Sequence, residues 1–213
     1  MKRFALFILL FLVGCTTANY LRTRDGQNIA YFYHEGGWKG VILLHQLDGS
    51  MGDWEPLEKE LQDAGFSYIK IDPRGHGESQ GDWEYFDEED FNNMIYDVEA
   101  AHKFLKLKGV NTVAIIGSSI GANVALKYAR WRGMDRLVLI SPGFNYRGID
   151  ISKDIGNYTG EVMVVVGDRD SYSYTTAKVF ERELNASLQV VKNSKHGREL
   201  LPYARTQIIS FIS

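Results

Sequence analysis

The sequence has almost no cysteine, since Cys15 is the only one among 213 residues. A domain built from the residues after it therefore contains no disulfide and must be stabilised by its core. The sequence also lacks any His/Cys cluster with the spacing of metal ligands, so we expect no metal and no cofactor. Four prolines and a hydrophobic content of 45% are compatible with one sizeable core.

A strong excess of charge of one sign is missing too. The formal net charge is −3, and removal of Lys2 and Arg3 with a leader would take it from −3 to −5. Because nucleic-acid binding usually requires a basic surface, nucleic acid is not an expected partner. Residues 20–213 contain no internal repeat, low-complexity tract or linker, so we predict a single domain over this range.

Long hydrophobic runs are also missing, except for one short run at the N-terminus. Apolar residues fill positions 4–13, directly after the basic pair Lys2 and Arg3. A run of this length is too short to cross a bilayer as a helix, but it is typical of a signal peptide. The sequence therefore predicts that the protein is exported.

The run closes with L-V-G-C at residues 12–15, which resembles the lipobox of bacterial lipoproteins. The resemblance implies that residues 1–14 are a lipoprotein signal peptide, that Cys15 is lipidated, palmitate included, and that residues 15–19 form a tether to the membrane. Thr16, rather than Asp, follows the cysteine, which by the same resemblance favours the outer over the inner membrane. The alternative is an ordinary signal peptide cleaved after Ala18, which would discard Cys15.

One short motif carries the most chemical information. The sequence G-S-S-I-G at residues 117–121 follows the apolar run 113–116 and precedes a helical apolar pattern over residues 120–131. A strand that ends in G-x-S-x-G and turns into a helix is a nucleophile elbow. The glycines allow the tight turn, and the N–H groups that begin the helix would stabilise negative charge. Ser119 is therefore the candidate nucleophile, with Ser118 as a rival in the same motif.

A serine nucleophile needs a base and a carboxylate that orients the base. The β-branched run at residues 161–166 is typical of a buried parallel strand, and it ends in G-D-R-D at residues 167–170. A further strand over residues 188–191 is followed by His196. Each candidate thus comes just after a strand, in the order Ser, Asp, His. The predicted triad is Ser119, Asp170 and His196, with Asp168 as a rival to Asp170.

This order resembles that of the α/β-hydrolases, and further motifs extend the resemblance over nearly all of the chain after residue 20. H-Q-L-D-G-S at residues 45–50 resembles the family's oxyanion loop, and D-P-R-G-H-G-E-S at residues 72–79 resembles its D-x-R-G-H-G-x-S loop. The resemblance implies a serine hydrolase in which the backbone N–H groups of Leu47 and Ile120 hold the oxyanion. It also implies that His45 and His76 are scaffold residues. Gln46 departs from the pattern, because the family usually has Gly there.

Short strands alternate with helical stretches along residues 20–213. This alternation predicts an α/β fold, the α/β-hydrolase fold, with a mostly parallel twisted sheet and helices on both faces. Asp25-Gly26 lies between two strand-like segments and predicts a two-residue turn, so that an antiparallel hairpin opens the sheet. The acidic run at residues 87–90 predicts the first turn of a helix rather than a metal site.

In the α/β-hydrolases a cap domain is usually inserted after the strand that lies here at residues 136–140. Only residues 141–160 separate it from the next strand, and a connecting helix near residues 149–155 must also fit, so no cap domain is expected. An uncovered site would be shallow and walled by Leu47, Phe144, Tyr146 and Tyr172. We therefore predict a carboxylesterase for small esters with short to medium acyl chains. Thioesters, small amides and a non-catalytic lipoprotein binding module are the alternatives.

Overall fold

A sheet of eight strands runs through the described part of the chain. The computed structural model describes residues 19–192 and 196–213, without the side chain of Val113. The predicted signal peptide and Cys15 lie outside the described residues. The strands of this sheet are β1 (Asn19–Arg22), β2 (Asn28–His34), β3 (Lys39–Leu44), β4 (Ser67–Ile71), β5 (Asn111–Ser118), β6 (Arg136–Ile140), β9 (Glu161–Gly167) and β10 (Ser187–Val191). They lie in the order β1-β2-β4-β3-β5-β6-β9-β10, and the two strands between β6 and β9 in the chain form a separate hairpin.

The pairing of the strands confirms the predicted fold class. The run from β4 through β3, β5, β6 and β9 to β10 is parallel. Among the described strands of this sheet, the antiparallel pairs are β1 with β2 and β2 with β4. Because the parallel strands share one direction, the loops that follow them meet at one edge of the sheet. The helices are α1 (Glu55–Asp63), α2 (Glu88–Asn92), α3 (Ile95–Leu107), α4 (Ile120–Arg132), α5 (Ser171–Leu184) and α6 (Leu201–Ile212).

Helices cover both faces of the sheet because successive side chains of its buried strands point to opposite faces. In β3, Val41 and Leu43 belong to the core cluster that contains buried residues of α1 and α6. Ile42 and Leu44 belong to the cluster that contains buried residues of α3, α4 and α5. All four side chains are at most 1% exposed, which explains the continuous apolar sequence of this strand.

The turn between β1 and β2 differs from the prediction. The strand register pairs Arg22 with Asn28, so the connection contains residues 23–27 rather than the pair Asp25-Gly26 alone. Thr23 Oγ1 donates a hydrogen bond to Asp25 Oδ1 at 2.5 Å and accepts one from Gln27 N at 2.8 Å. The second Asp25 oxygen accepts from Arg74 at 2.6 Å. These side-chain bonds stabilise a longer loop, which the dipeptide alone does not reveal.

The acidic run at residues 87–90 does begin a helix, as predicted. Asp87 is the N-cap of α2, and its carboxylate accepts the N–H of Asp90 at 3.0 Å. The Asp90 carboxylate accepts the N–H of Asp87 at 3.2 Å, which completes a capping box. Asp87 and Asp90 therefore supply acceptors that the backbone N–H groups at the helix start need, and Glu88 and Glu89 lie in its first turn, where negative charge is favoured.

The connection between β6 and β9 contains a small hairpin instead of the predicted helix near residues 149–155. Two-residue strands β7 (Asn145–Tyr146) and β8 (Ile149–Asp150) pair in antiparallel fashion, and a short 3₁₀ turn, Ile155–Asn157, follows them. Arg147 and Gly148 at the hairpin tip have φ angles of 53° and 84°. These left-handed values reverse the chain, so residues 149 and 150 pair with β7 instead of starting a helix. Residues 141–160 hold nothing larger, which agrees with the expectation that there is no cap domain.

Candidate active site

Ser119 lies at the turn between β5 and α4, with a backbone that few residues adopt. Its φ is 54° and its ψ is −118°, a strained conformation that costs on the order of 1–3 kcal/mol. The turn is fixed by a hydrogen bond from Ser119 N to Ile140 O at 2.8 Å. A Cβ on Gly117 would lie 2.3 Å from Gly121 O, and one on Gly121 would lie 2.5 Å from Leu44 O. Both flanking glycines are therefore required by close backbone approach.

Three of the predicted residues meet at the edge of the sheet where the parallel strands end. His196 Nε2 lies 2.8 Å from Ser119 Oγ, and His196 Nδ1 lies 2.5 Å from Asp170 Oδ2. The other oxygen of Asp170 accepts the N–H of Ser173 at 3.1 Å, at the start of α5. Both carboxylate oxygens of Asp170 therefore have a hydrogen-bond partner. An imidazole that donates from Nδ1 to this carboxylate can accept the serine proton at Nε2.

The rival residues Asp168 and Ser118 have different surroundings. Asp168 is exposed, and its backbone N–H donates to Val191 O at 3.1 Å. Ser118 is 2% exposed, and its Oγ has no hydrogen-bond partner among the described residues. His196 thus contacts the predicted serine and carboxylate, Ser119 and Asp170, and the geometry favours these two residues over their rivals.

A cavity of about 500 Å³ opens beside Ser119 and His196. One side is formed by the loop after β3, with Gln46, Leu47 and Asp48, and another by the tip of the β7–β8 hairpin. Ile120 lines the cavity as well, so both residues predicted to hold an oxyanion lie next to the serine. The cavity is lined by Gln46, Leu47, Asp48, Ser119, Ile120, Asn145, Tyr146, Arg147 and His196.

Of the three aromatic residues predicted to wall the site, Tyr146 is the one that lines this cavity. Its ring packs edge-on against His196 at a centroid distance of 6.1 Å, and its hydroxyl lies 3.0 Å from Ser173 Oγ. Burial raises the pKa of Tyr146 to about 12, so its hydroxyl keeps its proton near neutral pH. Tyr172 packs against Tyr146 at 5.7 Å and against Phe144 at 6.4 Å. Tyr172 and Phe144 therefore support the wall without lining the cavity.

Sequence reasoning missed the hairpin residues Asn145 and Arg147. The signal was present, because Asn145 is followed by a glycine three residues later, a turn pattern in which an Asn side chain accepts from the backbone. Asn145 Oδ1 accepts the N–H of Gly148 at 2.9 Å.

The described ranges, 19–192 and 196–213, show neither a metal-binding cluster nor a membrane-spanning helix. No group of three or more His, Cys, Asp or Glu residues there is arranged to hold a metal ion. None of the helices in these ranges combines the length and the apolar character that crossing a membrane requires.

The fold and the placement of the serine define a class of protein. A parallel sheet with helices on both faces, in which a strained serine stands at a strand–helix turn, is an α/β-hydrolase. The chain belongs to the serine aminopeptidase S33 family of these enzymes (Hydrolase_4), whose family model matches residues 39–191. The matched range includes Ser119 and Asp170 and ends before His196.

Curated relatives share parts of this sequence. The AB hydrolase superfamily protein YisY of Bacillus subtilis (strain 168) is 31% identical over 136 residues, which are 61% of this chain and 48% of YisY. A carboxylesterase of the same organism is 29% identical over 96 residues, 45% of this chain and 38% of the relative. The thermostable monoacylglycerol lipase of Bacillus sp. (strain H-257) is 30% identical over 98 residues, 46% of this chain and 38% of the lipase. The chain thus spans less than half the length of these three relatives.

Solved structures share the fold over nearly the whole chain. Est1E from Butyrivibrio proteoclasticus, determined with ferulic acid bound, has a TM-score of 0.76 at 17% identity, covering 91% of this chain and 98% of that one. The esterase EaEST from Exiguobacterium antarcticum has a TM-score of 0.71 at 16% identity, covering 91% and 97%. At such low identity the likeness shows the fold alone.

Proposed function

We propose that the chain is a serine hydrolase that cleaves carboxylic esters with short to medium acyl chains. The observation that carries the proposal is the pair of contacts made by one imidazole, 2.8 Å to Ser119 Oγ and 2.5 Å to Asp170 Oδ2. In this reading Ser119 is the nucleophile, His196 the general base, and Asp170 the carboxylate that orients the base.

The proposed reaction has two halves. His196 Nε2 takes the proton of Ser119 as Oγ attacks the ester carbonyl, and Asp170 stabilises the imidazolium that forms. The backbone N–H groups of Leu47 and Ile120 bind the oxyanion of the tetrahedral intermediate. His196 then gives the proton to the leaving alcohol, and an acyl-enzyme remains on Ser119. In the second half His196 activates a water that releases the acid.

A fluorophosphonate probe followed by an ester panel tests this function directly. An active serine hydrolase reacts with the probe at Ser119, and mass spectrometry of the labelled peptide identifies the residue. The alternative, a binding module that keeps the fold, predicts protein that remains unlabelled. Because the family model is described as an aminopeptidase, p-nitroanilides of amino acids belong in the same panel as esters and thioesters.

We predict that acyl-chain length decides the rate. The cavity of about 500 Å³ has no cap above it, so the part of a long acyl chain that extends beyond the cavity would stay in water. In a series of p-nitrophenyl esters from acetate to palmitate, kcat/KM should therefore peak below twelve carbons. A peak at twelve carbons or more, or a jump in rate above the micellar threshold of the substrate, would contradict the prediction.

We also propose that the protein is a lipoprotein tethered to a bacterial membrane, the outer rather than the inner one, through lipid on Cys15. The support is the lipobox-like sequence at residues 12–15. Two acyl chains suffice for stable anchoring, and a lipidated cysteine of this type carries at least a diacylglycerol.

The lipid anchor makes a separate prediction. Full-length protein expressed in a diderm bacterium should incorporate labelled palmitate and partition into the detergent phase, whereas Cys15→Ser should do neither. A wild-type protein without label, with an N-terminus at Asn19, would instead support ordinary signal-peptide cleavage. Separation of inner and outer membranes by density then tests the choice of membrane.

A further inference from the structure

Gln46 connects two loops of the site that are far apart in the sequence. Its Oε1 accepts the backbone N–H of Arg198 at 2.9 Å, two residues after His196. Its Nε2 donates to Asp48 Oδ1 at 2.7 Å, within the loop that carries Leu47. One amide side chain therefore uses its acceptor on the histidine loop and its donor on the oxyanion loop.

The residue after His196 is fitted closely to this side chain. A Cβ on Gly197 would lie 2.0 Å from Gln46 Oε1 and 3.2 Å from Ser118 Oγ. Gly197 has a φ of +62°, and its N–H donates to Ser141 Oγ at 2.9 Å. The backbone directly after the imidazole is thus packed closely against Gln46 and Ser118 and bound through its N–H to Ser141.

Both residues that are bonded to the Gln46 amide, Asp48 and Arg198, carry a charged side chain. The hydrogen bond from Gln46 lowers the pKa of Asp48, which keeps that carboxylate ionised and accepting. The guanidinium of Arg198 binds Asp53 Oδ1 at 3.0 Å, in the 3₁₀ turn that follows the oxyanion loop. The two loops are therefore joined by a backbone contact through Gln46 and by a second, more exposed contact through Arg198.

We propose that Gln46 is a positioning residue that holds the His196 loop and the Leu47 loop in register during the reaction. The proposal rests on the function proposed above. A glycine, the usual residue of the family at this position, has no side chain with which to make these bonds. Misplacement of a catalytic group by about 1 Å can cost on the order of a hundredfold in rate. Loss of the amide should therefore lower kcat more than it raises KM.

The first experiment compares Gln46→Ala and Gln46→Gly with wild type, and uses Gln207→Ala, an exposed glutamine on α6, as the control. In both Gln46 variants the Arg198 amide should exchange with solvent about tenfold faster or more, because its acceptor is gone. For p-nitrophenyl acetate, kcat should fall about ten- to a hundredfold, with KM changed by less than about threefold. Gln207→Ala should match wild type in both measurements.

The second experiment exchanges the donor and the acceptor. Gln46→Glu keeps an acceptor for Arg198 N but sets a second carboxylate against Asp48, so kcat should fall. Adding Asp48→Asn supplies an amide that can donate to the new carboxylate at position 46. This double variant, Gln46→Glu with Asp48→Asn, keeps the net charge of the wild-type pair. The double variant should recover kcat to within about threefold of wild type. If Gln46 only fills space and its hydrogen bonds do not matter, the double variant should not recover kcat.

The outcomes separate this proposal from the proposed function. Unchanged exchange of the Arg198 amide in Gln46→Ala overturns the positioning role, whatever the enzyme hydrolyses. So does a Gln46→Gly variant with wild-type kcat, or a double variant no better than Gln46→Glu. Failure of wild type and Gln207→Ala to hydrolyse any ester, with the exchange effect intact, overturns the esterase function and leaves the connection between the loops established.

Discussion

Replacing Ser119 by alanine is expected to lower kcat/KM for p-nitrophenyl acetate by at least about a thousandfold. Loss of the nucleophile of a serine hydrolase removes the acyl-enzyme pathway, and comparable losses reach about a millionfold in kcat. Ser119 Oγ is the hydroxyl that lies 2.8 Å from His196 Nε2. The measurement is steady-state hydrolysis under identical conditions, with far-UV circular dichroism to verify folding.

Ser118→Ala is the matched control for this prediction. The two serines are adjacent, and Ser118 is as deeply buried, at 2% exposure against 7%. Its Oγ makes no hydrogen bond with the described residues, so its removal should leave most of the activity. If Ser118→Ala abolishes hydrolysis and Ser119→Ala preserves it, the assignment of the nucleophile is wrong.

Asp170→Asn is expected to reduce kcat by about a thousand- to ten-thousandfold. The asparagine amide would donate to His196 Nδ1 and thereby stabilise the tautomer that carries its proton on Nε2. That imidazole cannot accept the proton of Ser119. The fold should survive, because Asn still offers an oxygen to the N–H of Ser173, which Asp170 Oδ1 now accepts at 3.1 Å. Single-turnover hydrolysis of an activated ester measures the effect.

Asp168→Asn makes the same chemical change two residues away. Asp168 is exposed and bonds to β10 through its backbone N–H, so the variant should stay within about threefold of wild type, as expected for an exposed substitution. A larger loss with Asp168→Asn than with Asp170→Asn would exchange the roles of the two carboxylates while leaving the fold unaffected.

The strands and the serine turn could be predicted because local sequence determines them. The buried parallel strands are continuous β-branched runs such as residues 161–166, a pattern that depends on burial on both faces. The glycines at 117 and 121 are required by backbone contacts of 2.3 and 2.5 Å. The order of Ser119, Asp170 and His196 along the chain then placed all three at one edge of the sheet.

Features decided by distant side chains could not be predicted in the same way. The loop between β1 and β2 is stabilised in part by Arg74, 49 residues from Asp25. The sequence predicts a helix near residues 149–155, but the second strand of a hairpin begins there instead, and Asn123, in another helix, binds the carbonyls of Gly143 and Ile149. Gln46 was recognised only as a departure from the family pattern, because its partner Arg198 lies 152 residues away.

The β7–β8 hairpin and the turn at Ser119 are supported by the same helix, α4. Asn123 is fully buried in the first turn of α4, the helix that follows Ser119 directly. Its Nδ2 donates to Gly143 O at 2.8 Å, just before β7, and to Ile149 O at 2.9 Å, at the start of β8, so both arms of the hairpin are bound to that helix. The tip at Arg147 carries none of these bonds and borders the cavity. Insertions and deletions at surface loop tips are well tolerated. A change in the length of this turn would therefore reshape one wall of the cavity while leaving the backbone around Ser119 in place.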